Sequence, residues 1–308
     1  MSLVLQESLR AIFYAPYYAS LSLGAYTEEG VDVVFQSARR PDLAARALLD
    51  GSVHVTWGGP MRVNQTYALN ADCDIQCFCE VVTRDPFLLV GRKPRPEFTL
   101  RDLLQVTLAT VSEVPTPWLC LQDDLRREGL YPAAVQRVTR GTMAENAAAL
   151  GRGDVDVIQV FEPYVEELVS SGTGHIWYAA ASRGATSYTT FYARKPLIAA
   201  RRAECLAMVR AVQRTLKWVH ATSPAAFADA IGGYFPAIDK ARLAACLARY
   251  KTLGIWGQDC RLPEAGYDRL ARSLVSGGFV PSGVPFAVAV DNSLANEVLR
   301  ANPPALAR

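Results

Sequence analysis

Several kinds of segment are missing from this sequence. No apolar stretch approaches the roughly twenty residues that cross a bilayer, so the chain is not expected to span a membrane. There is no basic run with interleaved aromatics, and 32 basic residues against 30 acidic leave a net charge of +2. A dedicated nucleic-acid surface is therefore excluded as the main function. No basic n-region or cleavage site precedes Leu3. On that ground the chain is expected either to work in the cytoplasm or to have been parted from an export signal. Histidine is scarce, with three copies. No Gly-x-Ser-x-Gly, P-loop or dinucleotide fingerprint occurs. Seven cysteines in 308 residues are an odd and thin supply, which does not suggest a disulfide framework.

What is present is apolar. Half of the residues are hydrophobic, enough for one very large core or two ordinary ones. The organising stretch is residues 13–35, FYAPYYASLSLGAYTEEGVDVVF. Leu3 to Leu5 and Ile12-Phe13 have the character of a buried strand, which Pro16 is expected to stop for want of an N–H. Residues 17–25 suit a helix packed on a sheet, with Gly24 near its end. Glu28-Glu29-Gly30 turns the chain into a β-rich run at Val31 to Phe35. This is a β–α–β crossover, so its two strands are expected to be parallel. Its first loop, Tyr14 to Tyr17, leaves the strand end at which open α/β sheets bind ligands.

The pattern continues with a helix over 41–50 and a strand over 52–57. Gly58-Gly59-Pro60 breaks that strand, and a double glycine lets a ligand approach the backbone. Residues 77–91 read as a strand pair or one interrupted strand. The charged loop 92–96 follows, and a crossing into a second lobe is expected after it. That lobe opens with a strand over 105–111. In Ser112 to Trp118, Thr116 serves as a helix N-cap and Pro117 as a first-turn proline. A strand end feeding a helix start presents free N–H groups and a positive dipole end, suited to a sulfonate, carboxylate or phosphate. The plainer alternative is that Thr116-Pro117 only caps a helix. A strand over 154–160 delivers Gln159, Glu162 and Tyr164, where Glu162 is either a ligand contact or a solvated helix-start acid. A polar-aromatic strand over 184–194 returns the chain to the first lobe, and amphipathic helices fill the remainder. The expected domains are 1–98 with 187–308 (lobe I) and 99–186 (lobe II). The cleft between them is the preferred ligand site, and the crossing strands are the hinges.

The stretch around residues 13–35 resembles the solute-binding proteins of nitrate-, sulfonate- and taurine-type ABC importers. It resembles equally the fungal thiamine-pyrimidine synthases of the same superfamily. The shared pattern is Phe13-Tyr14-Ala15-Pro16, Gly24 to Tyr26, Glu28 to Gly30 and Val31-Asp32-Val33. The resemblance implies a two-lobed, type II periplasmic-binding-protein-like α/β fold, each lobe a mostly parallel sheet flanked by helices. It also implies lobe closure on a small, anionic organic ligand, an ABC permease as partner, and a periplasmic location, with the cytoplasm as alternative. Tyr14, Tyr17, Trp57 and Tyr188 would form flat walls. Backbone N–H groups at Gly58 and Gly59 and over Thr116 to Trp118 would take the polar head, with Pro117 a wall residue that gives no N–H, and Arg39, Gln159 and Glu162 are further candidates.

The synthases hold pyridoxal phosphate on an early lysine, but this chain has none before Lys93. It carries Arg39, Arg40 and Arg62 in the first lobe instead, and arginine suits anions rather than Schiff bases. An enzyme of that type, or a cytoplasmic sensor, is the alternative function. No catalytic residue, cofactor or metal site is expected. Cys73, Cys77 and Cys79 form C-x3-C-x-C without a second ligand pair, and Cys77 and Cys79 are expected on one strand face. His54, alone in mid-strand, reads as packed core.

Overall fold

The computed structural model describes residues 2–38, 43–70 and 72–307, and Arg39 therefore lies outside the described residues. In chain order the strands are β1 (Leu3–Glu7), β2 (Val33–Ser37), β3 (Val55–Gly58), β4 (Ile75–Val82) and β5 (Leu88–Gly91). They continue with β6 (Thr107–Ala109), β7 (Gln136–Val138), β8 (Val157–Val160), β9 (His175–Ala179) and β10 (Thr189–Arg194). Two sheets result among the described residues, ordered β2-β1-β3-β10-β4 and β7-β6-β8-β5-β9. In each, three strands are parallel, and one antiparallel strand lies between the third and the outermost. The antiparallel strand, β10 in one sheet and β5 in the other, directly follows or precedes a crossing. The two lobes thus share one topology without a visible sequence repeat.

Local chemistry explains where the sequence expectations shift. β1 ends at Glu7, and Ile12–Tyr14 is a 3-10 turn rather than strand. Ile12 and Phe13 are apolar because that turn is buried in the core. Pro16 begins the helix Ala15–Ser22 instead of ending a strand, since a first-turn proline gives up no needed N–H. The first crossing is at residues 83–87, before the charged loop 92–96, because β5 already pairs in the second sheet. An apolar run divided between two sheets has the same local signature as a hairpin in one. Cys77 and Cys79 face opposite sides of their sheet. A bulge at this point sets Phe191 opposite Cys79 and Tyr192 opposite Cys77, which breaks the two-residue alternation.

The crossings run side by side. Thr186 N–H donates to Thr83 C=O at 2.8 Å, and Tyr188 N–H to Val82 C=O at 2.9 Å. Arg183, 4% exposed, ties the second crossing to the first and to lobe II. It donates to Asp85 at 2.5 Å and through Nε to Asp124 at 2.8 Å. Asp124 sits on the helix Thr116–Arg127. After β10 the chain builds helices on lobe I, including Arg202–Ala221, whose Arg210 and Arg214 hold Glu29 of the acidic turn. All seven cysteines are buried free thiols. Among the described residues no helix is long and apolar enough to cross a membrane, and no cluster of His, Cys, Asp or Glu is arranged for a metal ion.

Candidate functional site

The strand ends of β1 and β3 face the end of β8 and the start of helix Thr116–Arg127 across the lobe interface. Between them lies a cavity of about 40 Å³. Lobe I contributes Ser8, Tyr14, Gly59, Met61 and Arg62, and lobe II contributes Val114, Thr116 and Phe161. Phe87 and Tyr188 enter from the two crossings. The rings meet edge to face: Phe161 lies 5.2 Å from Phe13 and 5.1 Å from Phe87, and Phe13 lies 6.0 Å from Tyr188. An aromatic box therefore joins both lobes and the crossings.

The polar groups of this region are mostly hydroxyls. Tyr14 Oη and Ser8 Oγ share a hydrogen bond of 3.2 Å. Burial pushes the Tyr14 phenol up to about 12, with Ser8 opposing, so at neutral pH it is a neutral donor. Burial likewise holds Tyr188 well above the usual phenol range. Among the described residues the Tyr188 hydroxyl is buried without a hydrogen-bond partner. A Cβ on Gly58 would come within 2.9 Å of Tyr192 Oη and 3.3 Å of Ser8 Oγ, so those two hydroxyls meet at the end of β3. A buried hydroxyl left unmatched costs about 1–3 kcal/mol, and such groups mark places where water or a ligand belongs.

Positive potential comes from two sources. Arg62 lines the cavity, donates to Gln65 Oε1 at 2.7 Å, and has no carboxylate partner among the described residues. Two helices of opposite lobes, Pro60–Leu69 and Thr116–Arg127, begin at the cavity wall. Each first turn holds a proline with no N–H, and the Arg62 N–H goes to the Gly59 carbonyl at 2.9 Å, so what these helix starts offer an anion is mainly the positive end of their dipoles.

Comparison with known proteins bears on the fold. Residues 97–232 match the model of the NMT1-like family. The aliphatic sulphonate binding protein SsuA of Escherichia coli superposes with a TM-score of 0.75 at 15% identity, covering 92% of this chain and 94% of that one. The chain has the fold of the periplasmic sulfonate-binding proteins. Over 95% of its length and 88% of the relative's, it is 24% identical to the putative binding protein YtlA of Bacillus subtilis. The desulfurization enzyme DSZB also shares the fold, with a TM-score of 0.69 at 15% identity and coverage of 98% and 100%.

Within this fold, Tyr14, Gly59, Thr116 and Tyr188 lie together in the cavity wall. Gly58 is just beneath it. Tyr17 and Trp57 are fully buried below the site. Both faces of the Trp57 ring are taken, by Tyr17 at 4.8 Å and Phe35 at 5.2 Å, so neither face is available to a ligand. Pro117 accepts a hydrogen bond from Gln159 Nε2 at 3.0 Å, which fixes the helix start, while Gln159 Oε1 is unmatched. Trp118 is two helical positions from Thr116 and so faces the far side, where the Arg137 guanidinium sits 4.3 Å over its ring. Glu162 is buried against Arg249 of the helix Lys240–Leu253. Burial raises its pKa and Arg249 pulls it back.

Sequence reasoning missed Ser8, Phe87, Val114 and Phe161 as wall residues, and passed over Arg62 as a ligand contact. For Arg62 a signal existed, since it stands in the first turn of the helix that follows the glycine pair. Ser8 carried none, because β1 was expected to run further.

Proposed function

We propose that the protein captures a small anionic organic molecule by closing its lobes around it, as the solute-binding component of an ABC importer, without making or breaking a bond. One observation carries this reading. The interlobe cavity combines buried, unmatched hydroxyl capacity with an arginine that lacks a carboxylate partner among the described residues, beneath two helix starts. A volume of about 40 Å³ holds about three water molecules, the bulk of a sulfonate or carboxylate head. Among the described wall residues, none is a cysteine, histidine, lysine or carboxylate that would act as nucleophile or base. Serine, threonine and tyrosine hydroxyls without such an activator serve recognition. A permease partner and a location outside the cytoplasm follow from this reading.

The test is a thermal-shift screen over sulfonates, nitrate, carboxylates and pyrimidines, followed by calorimetry on the hits. A ligand of the folded state raises the melting temperature. Arg62→Ala is expected to weaken anion binding about 10- to 100-fold, the range for a hydrogen bond to a charged group. No shift from any oxyanion, or an unchanged affinity in Arg62→Ala, would sink the proposal.

A further inference from the structure

A chamber of about 570 Å³ lies apart from the interlobe cavity and shares no wall residue with it. Its volume is in the ordinary range for ligand pockets, about 300–1,000 Å³. Four separated parts of the chain meet there: Thr83 and Arg84 of the first crossing, Ala185 of the second, the segment 257–264, and the C-terminal region through Asn292 and Asn296.

The floor is held by backbone pairing. Thr83 N–H donates to the Ile255 carbonyl at 2.8 Å, and Gly257 N–H to the Val81 carbonyl at 3.0 Å. A Cβ on Gly257 would lie 2.9 Å from Thr83 Cγ2 and 2.7 Å from the Asp259 carbonyl oxygen, so glycine is what lets this segment lie against the crossing. Asn292 clamps Leu262 at both backbone groups, accepting its N–H at 3.1 Å and donating to its carbonyl at 2.9 Å. A recess built this way needs little ordering when a ligand enters.

The polar groups of the wall divide into spent and unspent. Arg261 is paired with Asp259 at 2.8 Å. Arg84 and Glu264 have no ion-pair partner among the described residues, and the side-chain amides of Gln258 and Asn296 have no hydrogen-bond partner there. A simple anion would meet Arg84 but also Glu264 and Asp259, and a simple cation would meet Glu264 but also Arg84 and Arg261. A small zwitterion answers both unspent charges at once, with its carboxylate at the guanidinium and its ammonium at the carboxylate.

We propose that this chamber is a second ligand site, separate from the anion cavity, for a free α-amino acid whose uncharged polar side chain meets the two amides. The site stands whether or not the inner cavity takes an anion.

Calorimetry on the whole chain with serine, asparagine and glutamine is the test, with propionate and propylamine as the two half-ligands. The amino acids are expected to bind, and each half-ligand about tenfold more weakly or not at all. Arg84→Gln and Glu264→Gln are each expected to weaken amino-acid binding about tenfold, the low end for a hydrogen bond to a charged group. Arg62→Ala in the inner cavity is expected to leave it unchanged. Both replaced chamber residues are exposed, and a melting curve confirms that each variant is folded. Three results overturn the proposal: no binding by any of the three amino acids in the millimolar range, a half-ligand that binds as well as they do, or affinity lost in Arg62→Ala and kept in both chamber variants. None of these touches the reading of the inner cavity as an anion site, which the oxyanion screen decides.

Discussion

Arg183 lies where the chain passes back from lobe II to lobe I, and replacing it with methionine tests how the two crossings are held together. Its side chain is 4% exposed, against 0% for Asp85 and 9% for Asp124. Burial alone would lower the arginine pKa, but Asp85 and then Asp124 raise it well above normal. Removing the arginine leaves two carboxylates buried together, with the Phe87 N–H at 2.9 Å as the compensation for Asp85. Breaking a buried ion pair from one side costs about 3–5 kcal/mol, so Arg183→Met is expected to lose about 4 kcal/mol at neutral pH. The loss carries a pH signature. Burial already holds the Asp85 carboxyl above its ordinary value, and Arg183 pulls it down. Without Arg183 it rises further. A carboxyl raised in the folded state is least costly in acid, and the cost grows as pH climbs through the folded pKa. Urea unfolding at pH 5 and pH 7.5 is the assay, with Arg183→Met/Asp85→Asn expected to recover part of the loss. A penalty below about 1 kcal/mol, or one equal at both pH values, would refute the account of a buried charged tie.

Other expectations are shorter. Tyr188→Phe removes a hydroxyl that is buried without a partner among the described residues. It should leave unfolding stability unchanged or higher by up to about 1 kcal/mol, and weaken oxyanion binding about tenfold; a clear loss of stability would mean that the hydroxyl is satisfied in the free protein. His54 Nδ1 accepts the Val4 N–H at 2.9 Å, and burial, then Arg201, lower its pKa. The neutral ring therefore stabilises the fold fully above the unfolded value of about 6.5, and that contribution is lost as pH falls through the lower folded value, at no more than about 1.4 kcal/mol per unit. His54→Gln should lack this arm of the stability curve between pH 7.5 and 5, and parallel curves would count against it.

How far the sequence shows the site depends on what each residue does. The β–α–β start was legible because glycine, the acidic turn and the valine run are local signals, and Gly24 and Gly30 do take positive φ, at 70° and 75°. The glycine pair at 58–59 and Thr116 were legible because strand-to-helix turns are also local. What separates Tyr14 from Tyr17 is not local. Both stand beside the same helix start, but only a long-range partner, Trp57, decides that Tyr17 stacks inward. Trp57 was misleading for the same reason, since Phe35 from β2 covers its second face. Trp118 could have been assigned from helix periodicity alone once Thr116 was chosen. The crossing at 83–87 was hidden because its flanks are as apolar as a hairpin's, while the charged loop 92–96 imitated a boundary.

The lobes are joined by more than their crossings, and this bears on how a ligand is held. Arg249 on the lobe I side reaches Glu162 and, at 2.7 Å, Glu166 on the lobe II side, and the Tyr250 hydroxyl accepts the Glu162 N–H at 3.0 Å. Elsewhere on the interface, Leu270 and Leu274 of helix Glu264–Ser276 share a buried cluster with Leu119, Cys120 and Met61. These contacts need no ligand. If the lobes close on a ligand as proposed, these contacts bias the pair toward closure before anything binds, and apparent affinity is the intrinsic affinity scaled by the closed fraction. The Arg249 side chain is 20% exposed, so its clasp is worth less than a fully buried pair, on the order of 2 kcal/mol. Arg249→Ala is therefore expected to shift the open-to-closed ratio by about 30-fold toward open. In small-angle scattering the ligand-free variant should show a larger radius of gyration than the wild type, and saturating ligand should restore the compact value at a higher apparent Kd. A variant equally compact without ligand, with unchanged Kd, would show that closure does not depend on this clasp and rests on the crossings and the helix contact instead.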